Sequence, residues 1–122
     1  MAATDSAVWV TGCFETPTVA RIDPATNKVV ATIHLDGYAV SVLVIDGAAW
    51  VPVGGDGYGL VSGDGYRRAL ERINPQTNRV DRELPLDGLP DAWGASMAGG
   101  NLWIANGVDS VVRVPLSLLT NP

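Results

Sequence analysis

An internal repeat constrains this chain more than any other feature of its sequence. Three segments carry a small or polar residue, then an apolar residue and a tryptophan: Ala7-Val8-Trp9-Val10, Ala48-Ala49-Trp50-Val51 and Asn101-Leu102-Trp103-Ile104. Each is followed by a stretch in which Arg precedes a branched apolar residue, at Arg21-Ile22, Arg72-Ile73 and Arg113-Val114. The first two then enter nearly the same turn, Asp23-Pro24-Ala25-Thr26-Asn27-Lys28-Val29 and Asn74-Pro75-Gln76-Thr77-Asn78-Arg79-Val80. Alternating segments follow, ending in Asp36-Gly37 and Asp87-Gly88. Self-similarity at a fixed spacing is the mark of a repeat architecture.

The turn has a physical basis. Asp or Asn hydrogen-bonds its own backbone, Pro presets φ at the next position, and Asn further on tolerates the left-handed region. A tight turn between two segments of period 2 predicts a β-hairpin. Arg21 to Arg72 spans 51 residues and Arg72 to Arg113 spans 41, so the unit is near 40 with one insertion. A unit of that length holding four short strands predicts a β-propeller blade, and hence an all-β chain. The expected blades are residues 7–35, 39–86 with an insertion at 54–68, and 92–116. The first lacks an innermost strand and the third stops at Ser117-Leu118-Leu119, where an outer strand is due. That makes about ten strands in a single partial propeller domain, too few to close a ring within one chain.

The pattern resembles the YVTN-type propeller repeats and the related blades of virginiamycin B lyase-like proteins. The residues that carry the resemblance are Asn101-Leu102-Trp103-Ile104, Ser110-Val111-Val112-Arg113-Val114, and the block 22–29 with its copy at 73–80. In the lyase-like group the resemblance implies ring opening of a cyclic depsipeptide by elimination, using His, Glu and a bound Mg²⁺. Lyase-like blades carry Glu three residues after the repeat Trp, where this chain has Gly12, Val53 and Asn106. The one histidine, His34, falls on a predicted outermost strand. No catalytic residue, cofactor or metal ligand therefore carries over, and the resemblance is to a fold that hosts many functions.

The insertion, Gly54 to Arg68, contains Gly-Asp-Gly-Tyr twice, at 55–58 and 63–66. Asp56 and Asp64 could offer oxygens to a cation, and Tyr58 and Tyr66 could present aromatic faces to a sugar or peptide. The spacing matches no EF-hand or nonapeptide calcium pattern, and Asp-Gly pairs in a hairpin supply positive φ without any ligand. Long loops nonetheless carry function on such scaffolds, so these four residues are the ligand-binding candidates. Trp93 joins them, because it breaks the repeat and sits beside the innermost strand of the third blade. Trp9, Trp50 and Trp103 recur once per unit, which assigns them to packing between blades. Arg21, Arg72 and Arg113 are expected to pair with acidic residues of neighbouring strands.

Composition narrows the remaining choices. A net charge of −5 argues against nucleic acid and anionic membranes, since phosphate binding needs clustered Lys and Arg. The single Cys13 permits no intrachain disulfide and lacks a basic neighbour that would activate it. Ser41, Ser62 and Ser96 have no nucleophile-elbow context. No apolar run is long enough to span a bilayer, and the first residues show no leader pattern. Cytoplasm is the default location, although an exported form with its leader removed would read the same way.

The expected function is a non-catalytic binding or scaffold module with an unidentified small-molecule or peptide ligand. The alternatives are a lyase- or hydrolase-like enzyme whose active site assembles between chains, and a propeller fragment without an independent role. The exposed end faces of an open arc predict a homo-oligomer, with a homodimer closing one ring preferred.

Overall fold

The computed structural model describes residues 1–12, 16–54, 68–86, 94–105 and 110–120. They form eleven strands and one helical turn: β1 (Ala2–Ala3), β2 (Val8–Thr11), β3 (Thr18–Asp23), β4 (Lys28–His34), β5 (Leu43–Ile45), β6 (Ala48–Val53), β7 (Ala69–Asn74), β8 (Arg79–Pro85), β9 (Gly94–Ala98), β10 (Asn101–Ala105), β11 (Val111–Pro115) and α1 (Ser117–Thr120). The chain is all-β. Its strands make three antiparallel sheets in chain order, β1-β2-β3-β4, β5-β6-β7-β8 and β9-β10-β11, here sheets I, II and III.

The two copies of the repeated turn have the same geometry. Asn27 and Asn78 both adopt φ 57°, and each donates its backbone N–H to the residue that opens its turn, Asp23 or Asn74, at 2.8 Å. The Asp23 and Asn74 side chains accept from Ala25 N and Gln76 N at 2.9 and 2.8 Å. A register shift follows at matching places, between Arg21 and Ile22 and between Arg72 and Ile73. The β5–β6 turn, Asp46-Gly47, and the β9–β10 turn, Gly99-Gly100, each hold two consecutive residues at positive φ. That is the arrangement whose twist matches a two-residue hairpin.

Sheet II lies between the other two, and period-2 alternation divides its side chains between two cores. Ala49, Val51, Val53, Ala69 and Ile73 pack with Trp9, Val19 and Ile33 of sheet I. Trp50, Leu70 and Ile45 pack with Leu102, Ile104 and Val114 of sheet III. Every residue of β6 is buried as a result. A strand covered on both faces reads as a continuous apolar run, and Ala48-Ala49-Trp50-Val51-Pro52-Val53 is one.

Three boundaries differ from the sequence expectation. The first unit has an inner strand: Ala2 and Ala3 pair with Trp9 and Val8, a segment too short and too small to give a period. The inner strand of the second unit shrinks to Leu43–Ile45. Upstream of it the Tyr38 carbonyl still accepts from Gly54 N just beyond β6 at 3.0 Å, while the Val40 carbonyl accepts from Thr11 Oγ1 of sheet I at 3.3 Å, so this stretch also serves the contact between sheets. After β11 the chain turns into α1, where Leu119 is buried beside sheet III. Arg82 of sheet II donates to the Leu118 and Leu119 carbonyls at 2.5 and 3.5 Å, placing a cation at the helix end that favours one.

Candidate functional site

The insertion leaves and rejoins sheet II at adjacent points, because Val53 at the end of β6 lies opposite Ala69 at the start of β7. Asp56, Tyr58, Asp64 and Tyr66, and likewise Trp93, lie outside the described residues. So do Cys13, Ser62, Asp87, Asp91 and Asp109. His34 closes β4, the outermost strand of sheet I, and is exposed.

Two constellations stand out among the described residues. The first is acidic. Glu71 and Glu83 are direct partners across β7 and β8, and alternation turns both toward sheet I. Asp36 arrives from the chain just after β4. Oxygens of the three carboxylates lie within 4.8 Å of one another. Glu71 is fully buried and accepts the Asp36 backbone N–H at 3.0 Å through Oε1. A buried carboxylate survives only with such partners, so Glu71 ties the end of sheet I to sheet II. The trio could donate three oxygens to a hard divalent cation, short of the six to eight that Ca²⁺ takes. The signal for it in the sequence is a Glu between Ala69 and Ile73 on the buried face of β7.

The second constellation is the Trp–Arg pair repeated in each sheet. Trp9 faces Arg21 across β2 and β3, Trp50 faces Arg72 across β6 and β7, and Trp103 faces Arg113 across β10 and β11. In sheet I the Arg21 guanidinium sits over the Trp9 ring, 5.0 Å from its centroid. It then crosses to sheet II, where Nη1 donates to the Pro75 carbonyl at 2.5 Å and Asn78 Oδ1 at 2.7 Å. The expected acidic partner is thus replaced by turn oxygens of the next sheet. In sheet II the ring of Trp50 is covered instead by Arg82, 5.6 Å away, while Arg72 pairs with Asp81 at 2.5 Å. Sheet III offers α1 where sheet II offers the turn that takes Arg21, and Arg82 is the residue that reaches it.

The Arg72–Asp81 pair makes a pH prediction. Burial alone would raise the Asp81 carboxyl, but hydrogen bonds from Arg72 and Asn74 and the Arg72 charge outweigh it and hold the group below 3.8. A folded-state value below the unfolded one stabilises the protein above that pH and is lost as pH falls through the lowered value. Wild type should therefore exceed Asp81→Asn by less than about 1 kcal/mol at neutral pH, since the pair is partly exposed. The gap should close in urea titrations repeated at steps below pH 4.

Trp9 and Trp50 are 2% and 1% exposed, whereas Trp103 is 40% exposed. The difference is positional. Each of the first two is covered by the following sheet, and Trp103 lies on the outer face of sheet III. Around it Gly94, Ala95, Ser96, Ala105 and Val111 line a shallow apolar groove of about 290 Å³. No family model and no curated protein sequence matches this chain.

Proposed function

We propose that this chain is an arc of propeller-type blades, akin to those of YVTN and lyase-like repeat proteins. It works as a non-catalytic scaffold that associates with itself and offers its inter-strand loops to a small molecule or peptide. The observation that carries this reading is the repeated contact between sheets: a Trp from one sheet is buried under the next at two successive junctions. Propeller blades stack face to face in this way. Sequential antiparallel order within each sheet supports it further. Two copies would supply about six blades, a common size for such rings.

In this reading the stacked sheets supply the fold and the insertion supplies recognition. Deleting 55–65 and joining the ends should then move the thermal midpoint by less than about 5 °C, because Val53 and Ala69 already adjoin. Its sedimentation should stay that of wild type. Loss of folded protein would count against the reading, as would a crystal structure in which the three sheets do not stack about a common axis.

A further inference from the structure

The two internal junctions specify what would cover the open faces at the ends of the arc. On sheet III the outer face carries Trp103, with Ser96 and Arg113 beside it across the ladders. These are the counterparts of Trp9 and Arg21, which sheet II covers. The Trp103 indole N–H is already used, donating to the Ala98 carbonyl at 3.1 Å, so the ring presents apolar surface. At the other end, alternation in sheet I turns Val8, Val10, Ala20 and Ile22 away from sheet II. Val8, Val10 and Ile22 are the counterparts of Ala49, Val51 and Ile73, the residues that receive Trp9, while Ala20 stands where sheet II has Glu71.

The polar parts match as well. Arg21 is received by Pro75 O and Asn78 Oδ1. The β3–β4 turn of sheet I shares the 2.8 Å backbone bond from its Asn to the residue that opens the turn, and the same φ at Asn27, so Pro24 O and Asn27 Oδ1 form an equivalent acceptor pair. Asp23 stands where that other turn has Asn74, adding negative charge next to the acceptors. Charge-assisted bonds of this kind are about twice as strong as neutral ones.

We infer that the outer face of sheet III docks on the outer face of sheet I of a second copy. Trp103 lies against Val8, Val10 and Ile22, and Arg113 donates to Pro24 O and Asn27 Oδ1. This deepens the scaffold reading and rests on it. The interface is heterologous, so two copies meet head to tail through two different faces. A face-to-face pairing of two Trp103 surfaces would leave both Val10 faces open and Arg113 opposite its own charge.

The test is sedimentation equilibrium on wild type, Trp103→Asp and Val10→Asp, each checked for native circular dichroism. Wild type should associate at micromolar concentration, and each variant alone should weaken association at least 100-fold. Mixing the two variants should restore a 1:1 complex, since one junction then joins two unaltered faces. Arg113→Ala, which leaves the apolar contact in place, should raise the dissociation constant about tenfold. It stands in for either Asp variant that fails to fold. A monomeric wild type, a Val10→Asp dimer as tight as wild type, or an Arg113→Ala chain of unchanged affinity would overturn the interface. The second of these leaves the stacked-sheet scaffold intact, whereas sheets that do not stack in a crystal structure end the scaffold reading itself.

Discussion

Trp50→Ala should remove about 3–5 kcal/mol of folding stability, the range for truncating a large buried aromatic. A domain of this size has roughly 6–18 kcal/mol in all, so the variant loses a large share. Trp50 is 1% exposed and packs between sheets II and III with Ile45, Leu70, Leu102 and Ile104. Its removal leaves a cavity that strands held on two sides cannot collapse to fill. It also takes away the surface under Arg82, whose guanidinium holds the α1 carbonyls. Trp9→Ala should cost a similar amount, because it occupies the equivalent place between sheets I and II. Trp103→Ala should cost clearly less than either at protein concentrations where the chain is monomeric, since 40% of that residue is already exposed. Urea unfolding of the three variants is the measurement. Equal losses for Trp50→Ala and Trp103→Ala would mean that sheet III does not cover Trp50.

The contrast among three identical residues shows where sequence reading works. The repeat assigned all three tryptophans to packing, and the turn copies at 22–29 and 73–80 were legible to the residue, because Pro, Thr and Asn at fixed offsets leave few conformations open. Strand order within each unit was legible for the same local reason. What the repeat could not give is which copy has a neighbour: Trp9 and Trp103 have the same local sequence rule and opposite exposure. The same limit explains Arg21 and Arg72. Their local contexts match, yet one crosses to the turn of the next sheet and the other stays on Asp81, a residue whose counterpart in the first unit is Val30. Ala2–Ala3 escaped because two small residues carry no periodic signal, and α1 because four residues are too few to show one.

Glu71 was missed because its importance lies in contacts distant in sequence, and it provides the second large effect. Glu71→Ala should destabilise the fold by about 2–4 kcal/mol. Two losses combine: a void where a fully buried side chain stood, and an Asp36 backbone N–H deprived of its acceptor. Glu71→Gln retains both the shape and a carbonyl oxygen for that N–H, and should stay within about 1 kcal/mol of wild type. Glu71→Leu fills the volume without an acceptor and should fall between them. This ordering follows from treating Glu71 as the tie that fixes where the chain after β4 meets sheet II. Like charges directly opposite on neighbouring strands are unfavourable, so neutralising Glu71 beside Glu83 removes a repulsion while it weakens the bond to Asp36. Chemical denaturation of the three variants separates the two roles. If Glu71→Gln is as damaging as Glu71→Ala, the protein depends on the negative charge at this position and not on the hydrogen bond, and the tie between the two sheets is electrostatic.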